Sequence, residues 1–131
     1  MFDKIFHDDS LNKDCKLLVV DSDDKYDSMT SVLNDFISLT TSYKICGFDI
    51  EFNRNHKLHK HDLARFQISF YMPDDIIVVI FDPKLASNVI NEMMWNILSD
   101  SSIFKIGHGT DSLDINGVRE HLNDDQLFIK F

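Results

Sequence analysis

Apolar residues along this chain change their spacing several times, and each change marks a new element. Lys16 to Val20 is a short apolar run that stops at the polar cluster Asp21, Ser22, Asp23 and Asp24. The run reads as a strand. The cluster reads as a helix start, because carboxylates are favourable at the positive end of a helix dipole. Tyr26, Met29, Val32, Leu33, Phe36 and Ile37 then recur at helical spacing and predict a helix over residues 25–39. Thr40, Thr41 and Ser42 end it. A strand follows over residues 43–52, in which Cys46, Phe48, Ile50 and Phe52 point to one face and Asp49 and Glu51 to the other.

The polar, basic stretch from Asn53 to Asp62 has no period and reads as a loop. Arg65 to Tyr71 alternates and predicts a second strand. Met72 to Asp75 is a turn. Ile76 to Phe81 is continuously apolar and rich in β-branched residues, as expected of a strand buried on both faces. Val89, Ile90, Met93, Met94, Ile97 and Leu98 form a broad stripe on a helix over residues 87–99, with Trp95 at its border. Ile103 to Gly107 is another short strand. His108 to Thr110 is a turn, with Thr110 or Asp111 as the cap of a helix reaching about residue 122. Gln126 to Phe131 begins a further apolar element.

Strand, helix, three strands, helix, strand, helix is the order of an α/β layered domain with a mixed sheet. Residues 1–15 are mixed and charged, with a small apolar patch at Phe2, Ile5 and Phe6, and read as a loosely structured lead-in. Residues 16–131 read as one domain without repeats or an internal boundary.

Composition adds limits. The chain has 131 residues, 44% of them hydrophobic, which is enough for one real core. No apolar run approaches membrane-spanning length, and the first residues lack the charge and apolar pattern of a secretory signal. Cys15 and Cys46 are too few for a disulfide scaffold, so reduced thiols in the cytoplasm or nucleus are expected. The net charge of −9 argues against a protein that coats nucleic acid non-specifically. It leaves room for an enzyme that grips a strand through metal ions and a local basic loop.

The chemistry centres on Asp49 and Glu51. Two carboxylates on one face of an interior strand repel each other, and burial raises that cost. A hard divalent cation such as magnesium, which prefers oxygen ligands, compensates both. The plainer alternative is a solvated acidic edge. The following stretch carries Arg54, Lys57, Lys60 and Arg65, suited either to phosphate contact or to a solvated loop. His56, His59 and His61 in it match no closed zinc site. The chain has no phosphate-binding glycine loop and no serine elbow, and Cys46 lies in the apolar strand, where a thiol is unreactive.

Gly47-Phe48-Asp49-Ile50-Glu51-Phe52 resembles the first motif of the DEDD superfamily of 3'–5' exonucleases. Lys105 to Ile115, containing His108, Gly109, Asp111 and Asp114, resembles the second, a strand leading into a helix that carries an Asp. Arg65 to Ser69 and Val79 to Pro83 resemble the hairpin between them. The His-Gly pair is similar to that of the ribonuclease D-like subgroup, and the resemblance covers about residues 16–122. It implies a ribonuclease H-like fold: a mixed central sheet with flanking helices. It implies two divalent ions, magnesium or manganese, about 3.5–4 Å apart. Asp49 is then the bridging ligand, and Glu51 binds one ion and orients the attacking water. Asp114 supplies the third carboxylate, with Asp111 as helix cap or as a further metal group. Arg54, Lys57, Lys60, Arg65 and His108 become candidate contacts to nucleic acid, the 3' end of RNA or DNA.

The family's third motif, a Tyr or His one helical turn before a fourth Asp, has no match after residue 115. The expectation is an N-terminal part of an exonuclease domain, truncated at its C-terminus and inactive or nearly so by itself. The alternative is a non-catalytic exonuclease-like module that binds nucleic acid or a protein partner. A third reading is an unrelated α/β domain whose paired carboxylates are surface groups.

Overall fold

The structure is a computed structural model. It describes the backbone of residues 1–55 and 60–107, and the side chains of residues 1–49 and 65–107. Its six strands are β1 (Lys4–Asp8), β2 (Lys13–Val20), β3 (Lys44–Asn55), β4 (Lys60–Tyr71), β5 (Asp75–Phe81) and β6 (Ile103–Gly107). Helix α1 (Asp23–Ile37) joins β2 to β3, and helix α2 (Asn88–Ser99) joins β5 to β6. One sheet contains all six strands in the order β1-β2-β5-β4-β3-β6. β2 and β5 are parallel, as are β3 and β6, whereas the other neighbouring pairs are antiparallel. This is the expected α/β architecture with a mixed sheet.

The alternation of each strand decides which face meets the helices. Leu18 and Val20 of β2, Val79 and Phe81 of β5, Phe66, Ile68 and Phe70 of β4, and Cys46 and Phe48 of β3 are all buried in one core. Met29, Val32, Leu33 and Phe36 of α1 and Ile90, Met94, Ile97 and Leu98 of α2 close that core from above. The Phe36 and Phe70 rings meet at 4.7 Å between centroids and tie α1 to β4. The stripe predicted for α2 holds except at Val89, which is exposed. Trp95 packs at the core's border. Helix starts follow the acidic and serine signals. Asp23 and Asp24 fill the first turn of α1, and the Ser87 hydroxyl accepts the Ile90 N–H at 3.3 Å to cap α2.

Two expectations need correction. The lead-in is not loose: β1 forms an edge strand against β2, from Lys4 opposite Leu17 to Asp8 opposite Lys13. Asp3 fastens its start, accepting the Val19 N–H at 2.7 Å and an ion pair from Lys25. β2 accordingly begins at Lys13 rather than at residue 16. Lys13 donates to the Met72 carbonyl at 3.0 Å, and Lys16 pairs with Asp75 at 2.7 Å. These are polar ties that a hydrophobic pattern does not reveal. The second correction concerns the basic stretch after β3. Residues 53–55 continue β3, and residues 60–64 begin β4, paired from Phe52 opposite Leu63 to Asn55 opposite Lys60. An antiparallel ladder is held by backbone hydrogen bonds and needs no apolar alternation where both faces meet water. The register shifts between Glu51 and Phe52, so that Ala64 is the extra residue of a bulge. The turn, helix and apolar element expected over residues 108–131 lie outside the described residues.

Candidate active site

Asp49 stands where the fold opens. β3 has β4 on one side and β6 on the other, and its described pairing with β6 runs to Phe48 opposite Gly107. Asp49 is the next residue of β3, toward the carboxyl end of this parallel pair. In open α/β sheets that is where crevices form. Phe48 is buried in the core and Asp49 is exposed on the opposite face, as the alternation requires.

Across the ladder Asp49 faces Gln67, and Gln67 faces Ile80. These three residues and Arg65 line a shallow cavity of about 160 Å³ that crosses β3, β4 and β5. Arg65 is the register partner of Glu51, one position along from the Asp49–Gln67 pair. The cavity therefore combines a carboxylate, which attracts cations, with a guanidinium, which is always charged and matches phosphate. A carboxamide and an apolar wall complete it. A metal–phosphate ester presents the complementary charges. An exposed carboxylate oxygen beside a phosphate-matching group fits a hard divalent cation. Among the described residues, no three His, Cys, Asp or Glu side chains lie together.

Gly47 keeps the sheet surface beside this cavity low. A Cβ there would lie 2.7 Å from the Ser69 Oγ, which donates to the Gly47 carbonyl at 3.4 Å. Behind the strand the environment is apolar. Cys46 is fully buried, and burial pushes its thiol up to about 11, so it stays protonated and inert at neutral pH. Beside it, opposite on β6, lies Lys105, only 3% exposed. Its Nζ donates to the Asp100 carbonyl at the end of α2, where a cation also meets the negative end of the helix dipole. The Asp100 carboxylate in turn accepts the Ser102 N–H at 2.8 Å and its hydroxyl at 2.6 Å. These bonds, the Ser102 hydroxyl foremost, hold its carboxyl below the usual range. This knot fixes the turn from α2 into β6 and so the position of Gly107 next to Asp49.

Of the site residues expected from sequence, the structure brings Asp49 and Arg65 together. Glu51 is placed by its backbone, opposite Arg65, but its side chain lies outside the described residues. Arg54 and Lys60 lie toward the closed end of the β3–β4 hairpin, opposite His61 and Asn55 respectively, with side chains outside the described residues. Lys57, His108, Asp111 and Asp114 lie outside them altogether. Sequence reasoning missed Gln67 as a site residue. The signal was present: Arg65, Gln67 and Ser69 alternate with buried Phe66, Ile68 and Phe70, so the polar row had to share the face of Asp49. It also missed the buried Lys105, which looks like any charged residue in a short strand.

No protein-family model matches the chain, and no curated protein sequence matches it. Solved structures do. The Aedes aegypti Nibbler EXO domain superposes with a TM-score of 0.60 at 18% identity, covering 95% of this chain and 50% of that one. Trypanosoma brucei RNase D, solved alone and in complex with the RNA U12, superposes with a TM-score of 0.55 at 22% identity, covering 82% of this chain and 34% of that one. The chain thus spans about half the length of the first and a third of the second. At these identities the likeness establishes architecture, and on that ground the chain has the fold of the Nibbler EXO domain and of RNase D.

Proposed function

We propose that this chain carries part of a metal-dependent 3'–5' exonuclease domain that hydrolyses nucleic acid, RNA in preference, from the 3' end to nucleoside 5'-monophosphates. The observation behind the proposal is the cavity of Asp49 and Arg65 at the carboxyl end of the β3–β6 pair, within this fold. Asp49 would hold the divalent ions, and Glu51, two residues along the same strand, would hold one of them. Asp114 supplies a third carboxylate, and Asp111 lies beside it in sequence as cap or further ligand. They follow Gly107 by 7 and 4 residues. At no more than ~3.6 Å per residue, both stay within about 25 Å of Gly107, the cross-strand partner of Phe48. When bound, such ions polarise the phosphodiester and favour attack by water.

The chain's own groups do the rest. Arg65 holds a non-bridging phosphate oxygen, and its bidentate geometry fixes the scissile group in the cavity. Arg54, Lys57, Lys60 and His108 serve the strand leading into the site. Their contacts are to phosphates, so they position without reading sequence.

The test is a 5'-labelled single-stranded RNA incubated with the chain and manganese. Shortening by single nucleotides from the 3' end, slow because the domain is present only in part and lost in Asp49→Ala, is the expected outcome. Manganese-dependent binding without shortening marks a non-catalytic nucleic-acid-binding module instead. Shortening from the 5' end, or cleavage indifferent to Asp49→Ala, overturns the proposal.

A further inference from the structure

The cavity beside Asp49 holds one polar side chain that the ion and phosphate contacts do not use. Gln67 lies on β4, directly across from Asp49 on one side and Ile80 on the other. Residues directly opposite in an antiparallel pair have Cβ atoms only about 4.5–5.5 Å apart. Whatever group contacts Asp49 is therefore within reach of the Gln67 carboxamide.

The three polar groups that line the cavity among the described residues differ in kind. The Asp49 carboxylate only accepts hydrogen bonds, and the Arg65 guanidinium only donates them. The Gln67 carboxamide is neutral, donates through its NH₂ and accepts through its oxygen. A phosphate with its counter-cation is served by the first two. A hydroxyl, which both donates and accepts, is the natural partner of the third. Ile80 on the far side offers no competing hydrogen bond. On a single strand the hydroxyls next to the phosphate belong to the sugar, and the 2'-hydroxyl is the one that distinguishes RNA from DNA.

We infer that Gln67 is a specificity-determining residue: it hydrogen-bonds the 2'-hydroxyl of the nucleotide held at Asp49 and so favours a ribonucleotide end over a deoxyribonucleotide end. This rests on the nuclease reading above. A strand end that lacks the hydroxyl forgoes this bond while water takes its place on the exposed carboxamide, so the preference is that of one net hydrogen bond.

The experiment measures binding of two fluorescent octauridylates by anisotropy, in calcium to suppress hydrolysis. One ends in a ribonucleotide, the other in a 2'-deoxynucleotide. The wild-type chain is expected to prefer the ribonucleotide end by roughly tenfold, the value of one well-made hydrogen bond. Gln67→Leu is expected to bind the deoxy-ended strand as the wild type does and to lose the preference. Gln67 is exposed on a strand, so the leucine variant folds, which circular dichroism verifies. Equal preference in wild type and Gln67→Leu, or no preference in the wild type, overturns the inference and leaves the nuclease reading standing. Failure of the wild type to bind either strand overturns both.

Discussion

At the scale of single residues, the site depends on a few side chains whose neighbours explain them. Asp49 is exposed because Phe48 is buried. Gly47 is small because Ser69 occupies the space its Cβ would need. Asp100 shows how a local bond becomes a pH effect. Its carboxyl is held low by the Ser102 hydroxyl and N–H, so the folded-state value lies below the unfolded one. The stabilisation is complete above about pH 4 and fades as pH falls through the folded-state value. Asp100→Ala is expected to lower the urea midpoint at pH 6 by the equivalent of less than ~1 kcal/mol, the carboxylate being exposed. The difference from wild type should shrink at pH 2.5. A deficit that is unchanged or larger in acid contradicts the assignment. Of these residues, Asp49 was legible from alternation alone. Lys105 was not, because nothing in a charged residue's local sequence says that a helix end will lie over it.

At the scale of elements, periodicity recovered every strand and helix that buries an apolar face. β2, α1, β3, β5, α2 and β6 all have such faces, and their core positions follow from spacing. The pattern failed where pairing is held by polar contacts: in β1, anchored by Asp3, and in the distal half of the β3–β4 hairpin, where ladder bonds extend through polar sequence. Helix α1 packs into the core beneath the strand that carries Asp49. Phe36 is fully buried and packs its ring at a tilt of 51° against Phe70, the direct partner of Cys46 in the β3–β4 ladder. Phe36→Ala should cost about 3–5 kcal/mol, a large share of the roughly 5–15 kcal/mol by which a native domain is stable. Chemical denaturation monitored by circular dichroism checks it. A loss under about 1 kcal/mol would mean that α1 does not seal the core as described.

At the scale of the whole molecule, the two described helices pack on one face of the mixed sheet, and Asp49, Arg65 and Gln67 stand on the other. The overall charge of −9 disfavours contact with a polyanion, so under the proposed function attraction would have to come from local cations, Arg65 in the cavity and divalent ions held at Asp49. No helix among the described residues is long and apolar enough to cross a membrane. The α/β fold was legible because it rests on apolar spacing. The assembly of the cavity was only half legible, since register, which sets Gln67 against Asp49, is fixed by pairing across the sheet and is not written in either strand alone. The central claim is that Asp49 belongs to a divalent-cation site. Calorimetric titration of manganese into the chain tests it most directly. The account predicts saturable binding by the wild type that weakens at least tenfold in Asp49→Asn, whose fold is checked in parallel. Identical isotherms for the two proteins, or no binding by either, would contradict it.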